Sequence, residues 1–317
     1  MTANRGIQPA AVKPGRPRTG WQYFLRKKNL YIMLIPCVLY FLVFNYLPMG
    51  GVIIAFKNFS FKKGIWGSDW IGLDNFRYMF GLKDFYKVIR NSLILSALRI
   101  FLTFPVPVIL ALLLNEINSA WYQRTLQTII YLPHFISWVV VGSILTNFLS
   151  PSDGVVNAIR ELMGMKKIFF MADKGWFRPL VILTSIWKEA GWGTIIYLAA
   201  ITGVPSEIYE AGRIDGASHL QILWYITLPC IKSTIVVMLV LTLGRITSNG
   251  FEQIFIMQNN MNLEVSEVFE TYTYRVGLTS GRYSFATAVG LFTSVINVIF
   301  LLISNRIANA LGEEGIW

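Results

Sequence analysis

The sequence predicts an all-α membrane protein with about six transmembrane helices. Three observations predict it. First, 54% of the 317 residues are hydrophobic, mean hydropathy is +0.52 and only 14% are charged, where soluble domains carry roughly 25%. So little charge cannot cover a water-soluble globule of this length, and the same composition excludes a disordered chain. Second, the apolar residues fall into six segments, about 30–56, 89–114, 126–149, 179–203, 230–250 and 285–307. Each is long enough to cross a hydrocarbon layer of about 30 Å, whereas a membrane β-barrel would show short alternating strands. Third, residues 1–28 hold seven Lys/Arg and no Asp or Glu, the basic flank expected on the cytoplasmic side of a first span.

Taken in order, the tail at 1–28 contains Pro9, Pro14 and Pro17 and is not expected to fold alone, although Trp21 to Lys28 could form a helix on the membrane surface. The charge of +11 sits largely in such flanks, so nucleic acid is not the predicted partner. The first segment, from Leu30 to Phe56, exceeds the apolar core of a signal peptide, about 7 to 15 residues, and reads as a retained span. Six spans starting from a cytoplasmic tail return the C-terminus to the cytoplasm. Loops 57–88, 150–178 and 251–284 then lie outside, and loops 115–125 and 204–229 inside. Pro48, Pro105, Pro107, Pro133, Gly191 and Gly193 within the segments are compatible with a membrane bundle. Cys37 and Cys230 are expected as small buried side chains.

Charges inside spans are functional hypotheses because lipid exposure is costly. Arg99, Lys188, Glu189 and Arg245 qualify. Lys188 and Glu189 are adjacent, about 100° apart on a helix, and are predicted to meet different neighbours. Trp187 and Trp192 flank them. Asn249, Glu252 and Gln253 fall at the outer end of the fifth segment. Arg99, Lys188, Glu189, Asn249, Glu252 and Gln253 are therefore the candidates for lining a substrate path. Polar bonding between helices is the alternative reading of each.

The most informative loop is 204–229. After Pro205, Ser206 is suited to cap a helix, and Glu207 lies in the first turn, where the helix dipole favours a negative charge. A helix is predicted to Arg213, with Gly212 and Gly216 permitting a turn or close backbone approach. A second short helix is predicted from His219 to Tyr225, ended by Pro229. A rigid helix-turn-helix of this kind, held between two spans, could carry force from a soluble partner into the bundle. An ordinary interfacial helix is the alternative.

Residues Glu210 to Pro229 read EAGRIDGASHLQILWYITLP. This resembles the cytoplasmic EAA loop of permease subunits of bacterial binding-protein-dependent ABC importers: Glu-Ala-Ala, three residues, Gly, nine residues, Ile-x-Leu-Pro. Glu210, Ala211, Gly216, Ile226, Leu228 and Pro229 are in register, and Asp215 and Ala217 complete an Asp-Gly-Ala core. Gly212 stands where the family usually has Ala, and Leu223 where many members have Phe. The resemblance extends over nearly the whole chain, through YIMLIPCVLYFLVFNYLPMGGVIIAF, YLPHFISWVVV, WKEAGWGTIIYLAA, YSFATAVGLFTSVIN and the terminal Gly-Ile-Trp. It is similar to the LplB-type permeases, a branch of the maltose-type group.

The resemblance implies an ABC importer type I permease fold. The basic cytoplasmic tail is 1–28, the transmembrane permease domain 29–308 and the cytoplasmic C-terminal tail 309–317. It implies a second homologous permease, two ATPase subunits and an extracellular or periplasmic solute-binding protein that delivers an oligosaccharide in the bacterial cytoplasmic membrane. Glu210, Ala211, Gly212, Asp215, Gly216 and Ala217 are then the ATPase-coupling residues. Gly212 is expected to loosen the coupling helix. The chain has no Gly-x-x-x-x-Gly-Lys-Ser/Thr loop, so ATP and Mg belong to the partner ATPase and no cofactor is expected here. Two histidines, His134 and His219, exclude a His-rich metal site, and no Gly-x-Ser-x-Gly elbow argues for an enzyme. Basic residues in the path suit an acidic, polysaccharide-derived oligosaccharide. The alternative function is a secondary, ion-coupled transporter, which would need no ATPase and would show inverted repeats.

Overall fold

In the computed structural model, residues 27–310, 312 and 315 are described. The expectations for the tail 1–26, including the surface helix from Trp21, and for the terminal Ile316 and Trp317 lie outside the described residues. The chain divides between Ile53 and Ile54 into two units. The first is carried by α1 (Lys28–Phe41), whose helical path continues to Phe56. Its side chains are exposed along nearly the whole length, and the sequence there is apolar.

The second unit opens with a two-stranded antiparallel hairpin, β1 (Lys57–Asn58) and β2 (Asp69–Trp70), pairing Lys57 with Trp70. Lys57 is buried because its ammonium donates to the carbonyls of Ile65 and Trp66. There follow α2 (Asp74–Gly81), α3 (Lys83–Leu98), α4 (Pro105–Asn115), α5 (Ala120–Tyr131), α6 (Trp138–Phe148) and α7 (Val155–Leu162). Then come α8 (Lys174–Thr202), α9 (Ser206–Ile214), α10 (His219–Ile222), α11 (Lys232–Leu243), α12 (Phe251–Met257), α13 (Phe269–Tyr274) and α14 (Tyr283–Ala310).

Among the described residues, three helices are long and apolar enough to cross a membrane: Lys28–Phe56, Lys83–Asn115 and Tyr283–Ala310. Two bent pairs raise the count to five. The predicted third segment is two helices, Ala120–Phe135 and Trp138–Phe148, meeting at 96°. In the second pair, Lys232–Leu243 falls in the predicted fifth segment and His219–Cys230 almost wholly in the loop predicted inside, and they meet at 58°. The fifth segment is corrected in extent: α11 stops at Leu243, and residues 244–250 are turn and irregular backbone. The fourth predicted segment, α8, is 29 residues long but carries Lys188 and Glu189 near its middle. Loops 150–178 and 251–284 are not open loops, since α7, α12 and α13 lie in them. Cys37 and Cys230 are exposed, which corrects the expectation of burial; a thiol on an apolar helix needs no polar partner.

Pro229 does not end its helix as the sequence suggested, and Pro48 and Pro105 lie within continuous helices. A proline ring displaces the carbonyl four residues back. Ahead of Pro48, Pro105 and Pro229 the helix widens instead. Leu47 donates to the Leu42 carbonyl, Phe104 to Arg99 and Leu228 to Leu223, each five residues back. These π-helical turns absorb the ring. The helix predicted to end at Pro229 therefore continues to Cys230.

The second unit packs around α8. One cluster sets Phe177, Val181 and Ile182 of α8 with Leu95, Ile254 and Met257; a second sets Tyr197 and Ile201 with Val108, Ala111 and Ile231. Gly191 lets α5 cross closely: a β-carbon there would fall 1.9 Å from the Ile130 carbonyl oxygen. A third cluster joins Met79, Phe85, Phe269, Tyr272 and Phe285. At about 25 cal/mol per Å² of apolar area buried, such side chains contribute about 1.5–3 kcal/mol each when fully covered.

Candidate functional site

Two groups of residues stand out, a hairpin and a polar cluster. The hairpin begins with α9. Pro205 occupies the cap position and Ser206 is the first helical residue, without a side-chain cap bond, so the expectation for Ser206 is corrected. Proline's fixed φ already sets the entry. Glu207 lies in the first turn and Arg213 in the last, both favoured by the helix dipole. The helix ends in two reciprocal bonds, Ala217 N–H to the Gly212 carbonyl at 3.0 Å and Gly216 N–H to the Arg213 carbonyl at 3.1 Å. That pattern needs a left-handed residue, and Gly216 supplies it at φ +76°. Immediately afterwards Ser218 and Gln221 form a capping box that starts α10. The run Asp215-Gly216-Ala217-Ser218 is thus a stop followed by a start, which fixes the hairpin by local bonds.

Glu210, Ala211, Asp215 and Gly216 are exposed, and Gly212 and Ala217 are half-buried. Gly212 does not loosen the helix by leaving a gap. Its missing side chain is filled by Ile226, whose Cδ1 would lie 2.6 Å from an added β-carbon. At the tip Ile214 and Leu220 are 85% and 69% exposed. Behind the hairpin, a cavity of about 310 Å³ is lined by Glu116, Glu210, Arg213 and His219 among others. His219 reaches Glu116 at the end of α4, Nδ1 to Oε2 3.3 Å.

The polar cluster joins α3, α8, α12 and the irregular segment before α12. Gln253 is buried with every polar position used. Its Oε1 accepts from Arg99 Nη2 at 2.6 Å and Ser185 Oγ at 3.0 Å. Its Nε2 donates to the Val181 carbonyl and Thr184 Oγ1, both at 2.8 Å. Arg99 Nη2 also donates to the Asn249 carbonyl at 2.8 Å. Asn249 is fully buried; its side chain meets Ser96 Oγ and the Ser92 carbonyl, and its N–H donates to Glu270 Oε2 at 3.1 Å. Burial pushes the Glu270 carboxyl above its ordinary range, against the pull of the Asn249 N–H and the Arg99 charge. Glu252 is exposed on α12 and does not join this cluster.

Lys188 and Glu189 converge, contrary to the expectation from their helical spacing. Lys188 Nζ lies 3.4 Å from Glu189 Oε1 and donates to the His134 carbonyl at 2.6 Å. Glu189 Oε2 meets His134 Nδ1 at 2.8 Å. The His134 ring stacks on Trp192, centroids 4.6 Å apart and planes within 5°, while the Lys188 ammonium stands 5.3 Å from the Trp138 ring centre. Both side chains are long enough to bend toward the break between α5 and α6, where the helix leaves the His134 carbonyl without an intrahelical donor. His134 was missed as a site residue; the available signal was an imidazole inside an apolar run. Arg99, Glu189 and Arg245 line a cavity of about 360 Å³ with Tyr197, Thr242 and Ser248. Among the described residues, no group of three His, Cys, Asp or Glu is placed to hold a metal ion.

The model of the family described as "Binding-protein-dependent transport system inner membrane component" matches residues 103–312. The chain is 48% identical over 318 residues to Protein LplB of Bacillus subtilis (strain 168), covering 100% of this chain and 96% of that protein. It is 46% identical to the polygalacturonan/rhamnogalacturonan transport system permease protein YteP of the same organism, over 92% and 91% of the two chains. Among solved structures, it superposes with TM-score 0.87 and 40% identity on a chain of a bacterial alginate ABC transporter in complex with alginate pentasaccharide-bound periplasmic protein. That match covers 94% of this chain and 100% of the other. The chain belongs to the family of inner membrane components of binding-protein-dependent transport systems, and it has their ABC importer type I permease fold.

Proposed function

We propose that this chain is one of two permease subunits of an ATP-driven importer for a polysaccharide-derived oligosaccharide, in the bacterial cytoplasmic membrane. An external solute-binding protein delivers the sugar, and two ATPase subunits, which bind the ATP and Mg, dock on the hairpin at 204–229. The chain crosses the membrane several times, with both termini on the cytoplasmic side beside that hairpin, and itself binds no cofactor. The names of the relatives support the cargo class, and the basic residues at the cavity suit an acidic sugar.

The observation that carries the reading is the hairpin tip. Exposed carboxylates at Glu210 and Asp215 flank bare apolar side chains at Ile214 and Leu220, on a turn stiffened from both sides. Exposed apolar groups on a rigid polar mount mark a protein-docking surface. ATP-driven closure of the partner pair would move this mount and reorient the helices. Coupling requires that the contact differ between the two states.

The test is gentle solubilisation of native membranes and mass spectrometry of what accompanies the tagged chain. The wild type should bring an ATPase and a second permease. Glu210→Ala and Ile214→Ser should retain the second permease and weaken ATPase recovery about ten-fold, the scale of a central interface residue. Equal ATPase recovery from both variants and the wild type would place docking elsewhere.

A further inference from the structure

We propose that Arg245 is the substrate-reading cation of the cavity at α8 and α11, and that it binds the carboxylate of a uronic acid unit. The assignment rests on the import reading above. It follows from accounting for every charge at that cavity. Arg99 is engaged through Nη2, held by the Asn249 carbonyl and Gln253 Oε1; its Nε has no partner among the described residues but is buried out of reach of cargo, and Glu270 is a carboxylate within electrostatic reach. Glu189 is engaged: one oxygen meets His134 and the other faces the buried Lys188. Lys188 balances Glu189, and Glu270 balances Arg99. Arg245 remains. It is exposed to the cavity, and among the described residues it has no ion pair and no side-chain hydrogen bond.

The backbone around it fits this role. Residue 245 follows the end of α11, in the turn that links to the irregular segment before α12. Irregular backbone and an uncompensated charge are tolerated at membrane depth where they line a watery cavity. Three residues on, the exposed Ser248 also lines the cavity, and Tyr197 and Thr242 border it. A guanidinium offers a fork of donors that matches a carboxylate, and a hydroxyl beside it suits the ring oxygens of a sugar. The volume, about 360 Å³, lies within the about 300–1,000 Å³ usual for small-molecule sites. A neutral sugar would leave the surplus charge unmatched. An acidic one cancels it.

The experiment uses the complete importer in proteoliposomes, with two probes: trigalacturonate and its carboxyl-reduced counterpart. The wild type should carry the acidic probe in preference to the neutral one. Arg245→Gln should lower uptake of the acidic probe about ten-fold or more, the weight of a charge-assisted hydrogen bond, and change uptake of the neutral probe far less. Arg245→Lys should restore part of the preference, because it returns the charge without the fork. An unchanged acid preference in Arg245→Gln would overturn the assignment. So would equal loss of both probes, which would mark Arg245 as a support of the fold or of a subunit contact. A wild type that carries the neutral probe as well as the acidic one, or hydrolyses ATP under binding-protein stimulation without carrying the acid, overturns the assignment and leaves the import reading standing. A wild type with neither sugar uptake nor binding-protein-stimulated hydrolysis overturns the import reading itself.

Discussion

In the hairpin, the bonds that set the shape join residues five or fewer apart: Ala217 to Gly212, Gly216 to Arg213, Ser218 to Gln221. In the polar cluster the bonds between elements join residues 21 to 157 apart, from the Asn249 N–H and Glu270 to the Asn249 side chain and the Ser92 carbonyl. The hairpin closes its own backbone and presents its side chains outward. The cluster consumes its side chains inward, so that Gln253 and Asn249 have nothing left to offer a passing molecule. The two regions contain similar polar residues, and burial with saturation separates them. A polar residue is available for recognition only where its neighbours have not already satisfied it.

The largest expected effect tests the saturated side of that contrast. Gln253→Ala removes four hydrogen bonds at once. Ser185, Thr184 and the Val181 carbonyl keep other partners, so the main loss falls on the Arg99 guanidinium, which is left half-bonded beside an apolar void. An unmet charged donor and a void together cost about 2–4 kcal/mol. The thermal midpoint of the purified complex should fall by several degrees. Glu210→Ala on the hairpin should leave the midpoint of the two permeases, freed of the ATPase, unmoved. Equal midpoints for Gln253→Ala and wild type would mean that the cluster is not saturated and that Gln253 is free to meet cargo.

A smaller effect sharpens the hairpin side. Nothing lies within 4 Å of a β-carbon added at Gly216, so a substitution there is opposed by backbone conformation alone. At φ +76° a β-branched side chain should cost about 1–2 kcal/mol, and asparagine much less. Gly216→Val should therefore impair transport-coupled ATP hydrolysis while the assembled complex melts only slightly lower, and Gly216→Asn should recover most of the coupling. Equal impairment by both would show that the partner needs the bare backbone at 216 and not its left-handed turn. Gly212 is a different case. An added methyl meets Ile226, and overpacking of about 1–3 kcal/mol opposes a helix-propensity gain of about 1 kcal/mol.

The same contrast explains what was legible in the sequence. The hairpin could be read because its signals are local: Glu207 near the start, Arg213 near the end, Gly216 at the turn. Only its edges were misplaced, since Pro205 rather than Ser206 caps α9 and a π-helical turn carries α10 through Pro229. The apolar segments gave the helices and the fold class. They did not give the break at Ile136–Ser137 or the end of α11 at Leu243, because long-range packing decides both. The cluster was half legible. Arg99, Lys188, Asn249 and Gln253 stood out as costly polar residues, yet their partners lie on other helices. The meeting of Lys188 with Glu189 depends on His134, which no spacing rule connects to them.

The smallest effect concerns a link that is neither local nor buried. Lys174 at the start of α8 holds Glu264 at 2.6 Å, and the lysine's hydrogen bond and charge keep the Glu264 carboxyl below its ordinary value of 4.5. A carboxyl lowered by folding stabilises fully above its unfolded value and loses that contribution as pH falls through the folded one. Glu270 has the opposite sign. Burial raises its carboxyl, so its contribution favours folding at low pH and disappears as pH rises through the folded value. A raw acid-melting curve mixes the two. The difference between wild type and Glu264→Gln isolates the first: a small positive margin at neutral pH, shrinking below about pH 4.5 and shrinking also in high salt, because both partners are about half exposed. A margin that persists in acid would mean that the Lys174 contact works as a neutral hydrogen bond, and that the segment at Leu263–Ser266 is held mainly by the Asn91 side chain of α3, which donates to the Glu264 and Glu267 carbonyls.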